Sequence, residues 1–85
     1  MYHSCKRFVY VLRSSSHTDR YYVGLTSNVP DRLVAHNEGH LPNTARYRPW
    51  SVNVVLEFAN QEIAERFEKY LKSGSGRAFA KKHFE

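Results

Sequence analysis

Five side chains along this sequence are of types that handle phosphate esters: Tyr10, Tyr22, Arg32, His36 and Glu68. A tyrosine hydroxyl at a cleft can donate to a phosphate oxygen or take a proton from water. The second role is difficult at the ordinary phenol pKa of about 10 unless cations or a metal-bound water help. An arginine offers a forked donor whose hold strengthens as charge develops on the phosphate. A single carboxylate with several waters suits Mg2+ (or Mn2+), one ion, because this hard cation keeps much of its hydration and takes other ligands from substrate phosphate. Two metals would need more converging carboxylates than the chain supplies. Each residue also has a plain reading: Tyr10 as a core ring beside Phe8 and Leu12, Arg32 and Glu68 as solvated helix charges, His36 as a ring on the core edge.

These groups need a frame. Phe8 to Leu12 is apolar at every position, which suits a central strand covered on both faces. Arg13 to Arg20 is polar and turn-forming, and Tyr21 to Leu25 is a second β-forming run, so the two should pair as an antiparallel hairpin. Gly24 inside a strand signals a close approach by another group, and beside Tyr22 it leaves room for a phosphate or a second ring. Asn28 and Pro30 open a helix that ends by Gly39. In it Val29, Leu33, Val34 and Asn37 are expected to face the sheet, while Arg32 and His36, four apart, share another face. His40 to Ser51 reads as a basic loop and Val52 to Phe58 as a third strand. Asn60 caps a helix whose apolar stripe is Ile63, Ala64, Phe67 and Leu71. Glu62 and Glu65 compete with Glu68 there, but Glu68 follows the small Ala64 by four, which would let its carboxylate turn inward. Ser73 to Gly76 stops that helix and starts a short basic one. The expected architecture is α/β, a three-stranded mainly antiparallel sheet flanked by three helices in the order β-β-α-β-α-α, as one domain over residues 1–85 with its core at about 7–84.

With 85 residues the chain makes one domain and buries only about two-thirds of its unfolded surface, so any site lies in a shallow cleft. Six Tyr, five Phe and one Trp supply the core area. Cys5 is the only cysteine, which excludes an internal disulfide and a cysteine-based zinc site and favours a reducing, cytoplasmic setting. No apolar run is long enough for a membrane span. The net charge of +5 suits a polyanion. Arg46, Arg48, Lys72, Arg77, Lys81 and Lys82 are candidate backbone contacts of the kind that position nucleic acid without reading its sequence. His36 and His40 have zinc-pair spacing, but Gly39 interrupts the helix between them and the H-E-x-x-H pattern is missing. Ser73 to Gly76 lacks the Gly-Lys-Ser/Thr ending of a phosphate loop.

Phe8-Val9-Tyr10 and Tyr22-Val23-Gly24 resemble the two halves of the GIY-YIG signature, with Phe8 where the family name puts Gly, as in the small bacterial single-domain branch. The resemblance continues through Gly24 to Asn28, Arg32-Leu33, His36-Asn37, Gly39, Thr44, Pro49-Trp50, Phe67-Glu68-Lys69 and Lys72. It implies an endonuclease fold cutting nucleic-acid phosphodiesters, with DNA preferred over RNA and a role in repair or recombination. Tyr10 would work on the attacking water with help from His36, Tyr22 and Arg32 would hold the phosphate, and Glu68 would hold the metal. Val9, Val23, Gly24 and Asn37 would be structural members of the motif. The late Asn of many family members has no counterpart in Arg77 to Glu85. The alternatives are a binding module of the same fold that does not cut, and a protein-interaction domain with a vestigial site. Larger members carry a separate targeting domain, so a second copy or a partner protein is the expected source of targeting here.

Overall fold

A strand apolar on both faces must be covered on both faces, and the computed structural model, which describes residues 5–85, places it in the middle of the sheet. The elements are β1 (Phe8–Ser14), β2 (Tyr21–Thr26), α1 (Val29–Asn37), α2 (Pro42–Ala45), β3 (Trp50–Glu57), α3 (Gln61–Leu71) and α4 (Gly74–His83). The sheet order is β2-β1-β3, antiparallel throughout. Tyr10 pairs with Gly24 on one side and Val55 on the other, and the β1–β3 register shifts between Val11 and Leu12.

Alternation along β1 divides the core. Val9 and Val11 join Ala64 and Leu71 beneath α3 and α4. Tyr10 and Leu12 join Trp50, with Val29 and Leu33 of α1 packed against them. Helix α1 starts at the cap Asn28, whose side chain accepts from the Asp31 N–H, and ends before Gly39 at φ 81°, the left-handed position where glycine carries no penalty. Asn60 and Ser73 cap α3 and α4 in the same way. The hairpin, the helix boundaries and the inward stripe of α3 follow the sequence reading, except that Ile63 at the stripe's edge is exposed.

The architecture is the expected one, and three details need correction. The expected loop contains a one-turn helix, α2, which Pro42 nucleates at the start of a polar segment. Strand β3 begins at Trp50 because Asn37 clamps that residue: its Oδ1 accepts from the Trp50 N–H at 2.6 Å and its Nδ2 donates to the Trp50 carbonyl at 2.9 Å. Val34 is 53% exposed, and His36 takes the inward place instead. The stripe at 29, 33 and 36 steps by one helical turn at a time, and Val34 lies about 100° around from Leu33.

Helix α4 packs closely on the end of α3 because Gly76, buried, lies on the Tyr70 carbonyl and the Leu71 backbone. A methyl there would meet backbone that cannot move aside, whereas Gly74 faces open space. Gly76→Ala should therefore lower stability by about 1–3 kcal/mol. Gly74→Ala should leave it unchanged or raise it by up to about 0.5 kcal/mol. Urea midpoints of the two variants check this, and equal effects would contradict the packing described.

Candidate active site

Tyr10 leaves a central strand yet reaches the sheet edge because its cross-strand partner is glycine. A Cβ at Gly24 would overlap the Tyr10 Cζ and hydroxyl, so the ring crosses β2 through the space that Gly24 leaves. The approaching group signalled by Gly24 is thus the ring of Tyr10. The core reading of Tyr10 holds, since the residue is 1% exposed, and its hydroxyl lies 3.0 Å from His36 Nε2.

His36 is fully buried and uses both ring nitrogens. Thr44 Oγ1 donates to the Leu41 carbonyl at 3.3 Å, so it accepts from His36 Nδ1 at 2.7 Å. That assignment makes Nδ1 the protonated nitrogen and leaves Nε2 to accept from the Tyr10 hydroxyl. Burial lowers the His36 pKa below its ordinary 6.5, and the charge of Arg32 lowers it further, so the ring is neutral at pH 7. Burial likewise raises the Tyr10 phenol above 10; Arg32 opposes this, while Tyr22 and Glu68 add to it. Thr44 is the functional residue whose role the sequence did not disclose. It belongs to the motif pattern, but eight residues and a turn separate it from His36, and no helical spacing links them.

The remaining site residues gather around that hydroxyl. Tyr22, half-buried, packs its ring 6.2 Å from Tyr10 and 4.9 Å from His36. Arg32 is exposed on α1, near enough to bias both Tyr10 and His36. Glu68 comes from α3, its side chain only 19% exposed and bonded to Lys72 Nζ at 2.6 Å. The same carboxylate adds to the raising of the Tyr10 phenol. Glu62 and Glu65 are exposed, and Glu65 accepts from Gln61, so Glu68 is the least exposed of the three α3 carboxylates. Tyr10, Tyr22 and His36 are thus in direct contact, with Arg32 and Glu68 near enough to bias the Tyr10 phenol.

Among the described residues no three His, Cys, Asp or Glu side chains cluster as a metal cage. A Zn2+ site, which wants three or four protein ligands, does not fit. A hydrated Mg2+ or Mn2+ fits Glu68, since such an ion needs only one or two carboxylates. A partly buried carboxylate also needs a cation, and Lys72 now fills that need.

The basic candidates divide into two groups. Lys72, Arg77 and Lys81 line one cleft on the α3–α4 side of β2. Arg46 is exposed with its guanidinium 5.8 Å from the Tyr47 ring, and the Arg48 guanidinium lies on Gly39, so neither belongs to that cleft. Lys82 is exposed on the last turn of α4, where a cation favours the helix dipole. Val9 and Val23 pack in the core on the face opposite Tyr10, and Asn37 is the clamp on Trp50.

The family model for the GIY-YIG catalytic domain matches residues 6–82. The chain is also similar to the structure-specific endonuclease subunit SLX1 of Podospora anserina, 41% identical over 66 residues, which cover 71% of this chain and 19% of the relative. The chain thus spans about a fifth of that curated protein's length. That relative is fungal and lends nothing to the bacterial branch expected from Phe8. No solved structure gives a significant match. Among the described residues no helix is long and apolar enough to cross a membrane.

The buried histidine makes a prediction about pH. With its folded pKa below 6.5, His36 takes up a proton less readily in the folded state than in the unfolded chain. Its contribution to stability is full above about 6.5 and is lost as the pH falls through that value toward the lowered folded pKa. Urea unfolding at pH 7.5 and 5.0 should show the stability gap between the protein and His36→Gln narrowing at the lower pH. A gap that stays constant or widens would contradict a neutral, buried His36.

Proposed function

The chain belongs to the GIY-YIG catalytic-domain family, and from that premise we propose that it is an endonuclease hydrolysing nucleic-acid phosphodiesters, with DNA in repair or recombination as its substrate. The observation that carries the proposal is the Tyr10 hydroxyl, 3.0 Å from an accepting His36 nitrogen and set among Arg32, Tyr22 and Glu68.

A neutral phenol is a poor base. It becomes an adequate one when its own proton can leave at the same moment, and His36 Nε2 is placed to take it. As an attacking water gives a proton to the Tyr10 oxygen, Tyr10 passes its proton to His36. The water oxygen forms its bond to phosphorus while the bond to the departing nucleotide oxygen breaks, and solvent protonates the leaving group. His36, without exposed surface, acts on the substrate only through Tyr10. Thr44 holds the ring in the tautomer that leaves Nε2 free. Arg32 and Tyr22 hold the phosphate, and the guanidinium gains most as negative charge builds on it. Mg2+ (or Mn2+) on Glu68 would supply charge stabilisation at the leaving oxygen. Lys72 would then be freed from Glu68 for the phosphate backbone. The name of the SLX1 relative, a structure-specific endonuclease subunit, supports a substrate chosen by shape and a partner protein that contributes to that choice.

The test uses branched, flapped, single-stranded and duplex DNA and RNA with Mg2+ or Mn2+. Tyr10→Phe keeps the ring and removes the relay, and should slow cutting by about 10²–10⁴-fold with substrate binding retained. Glu68→Ala should abolish metal-dependent cutting. Cutting by Glu68→Ala at the normal rate would refute the metal assignment, and unchanged cutting by Tyr10→Phe would refute the relay. Binding to every substrate with no cutting by the wild-type protein would favour the binding module.

A further inference from the structure

The edge strand β2 has a second side. Tyr22 and Gly24 face the candidate active site, whereas Tyr21 and Val23, with part of Tyr22, line a cleft of about 630 Å3 between β2 and the α3–α4 pair. A volume of this order accommodates a nucleotide-sized ligand. Val23, Leu71 and Ala80 give it an apolar floor, and Tyr21 stands beside them with the Arg13 guanidinium 5.5 Å from its ring. Lys72, Arg77 and Lys81 line the same space.

The charges are placed at a cost that an anion would offset. Arg77 and Lys81 are one turn apart on α4, and like charges at that spacing repel. Arg77 also stands just beyond the first turn of the helix, the end that favours anions. Among the described residues neither is in an ion pair. Two carboxylates, Asp19 and Glu85, also line the cleft and can accept from the amino groups of a base. An apolar floor with a ring suits a base, and the cations suit its phosphates. A paired base, stacked within a duplex, could not enter. The cleft is joined to the active site by two residues: Lys72, which bonds Glu68, and Tyr22, which lines the cleft and packs on His36.

We propose that the cleft between β2 and the α3–α4 pair binds an unpaired nucleotide of the substrate strand, next to the phosphodiester to be cut, with Tyr21 as its stacking surface and Arg77 and Lys81 on its phosphates. This rests on the phosphodiester chemistry proposed above and adds the substrate class: nucleic acid with a single-stranded arm. The adjoining Tyr22 ring ties occupancy of the cleft to the position of the scissile phosphate.

Binding in EDTA separates this inference from catalysis, since no cutting is needed. Fluorescence anisotropy compares a flapped duplex and a blunt duplex of equal length, with the wild-type protein, R77E/K81E, Tyr21→Leu, Tyr21→Phe and Arg66→Glu. Arg66 is exposed on α3 and outside the cleft. The double reversal should weaken the flapped duplex by at least tenfold and lower its salt slope by about 1.4, two phosphates at about 0.7 each. Tyr21→Leu should weaken the same substrate by about tenfold, the scale of one lost base stack, and Tyr21→Phe should restore it. The blunt duplex should respond to none of these, and Arg66→Glu should change neither substrate. Equal losses on both duplexes would reduce the cleft to a general basic surface and overturn the proposal, as would no loss on either. Should the wild-type protein bind the arm through this cleft yet cut nothing, the endonuclease reading fails alone. Should it cut while the variants keep full affinity for the arm, this inference fails alone.

Discussion

One buried hydrogen bond holds the site together: the Tyr10 hydroxyl on His36 Nε2, continued through Nδ1 to Thr44. It joins the central strand to α1 and α2. Among the described residues no buried side-chain polar atom lacks a partner, so the polar groups in this small core are satisfied. Breaking the chain at any member would leave a desolvated donor or acceptor, which costs more than the bond itself contributes. The arrangement depends in turn on Gly24, because any larger residue would close the path that the Tyr10 ring takes over β2.

The same geometry gives two tyrosines on neighbouring strands different settings. Tyr10, on the central strand, is buried and coupled to a histidine; Tyr22, on the edge strand, keeps part of its surface in solvent. The edge position also gives β2 two usable sides: Tyr21 lines the cleft, while Tyr22 both lines it and packs on His36. Lys72 stands between the two regions, bonded to the active-site carboxylate and lining the cleft. Under the function proposed above, coupling between Glu68 and a substrate backbone would pass through that one ammonium group.

Much of this was legible in the residues. The apolar run at β1, the polar hairpin, the asparagine caps and Gly39 are local signals, and local physics enforces them. Gly24 marked the close approach correctly, and Glu68, four residues after Ala64, is less exposed than Glu62 and Glu65. What escaped was tertiary. The Asn37 clamp that advances β3 to Trp50 and the Thr44 partner of His36 depend on segments far apart in the chain. Val34 and His36 exchanged places because a polar ring with two hydrogen-bond partners can occupy a core that hydrophobicity alone would give to valine. A polar residue satisfied on both sides leaves no mark in an apolar pattern.

The Tyr10–His36–Thr44 network depends on the direction of one proton, and that direction is measurable. Histidine side-chain 15N chemical shifts at neutral pH, with Tyr10→Phe as the reference, should show His36 neutral, protonated at Nδ1, with an Nε2 resonance that moves when the Tyr10 hydroxyl is removed. A ring protonated at Nε2, a charged imidazolium at that pH, or an Nε2 indifferent to Tyr10→Phe would contradict it.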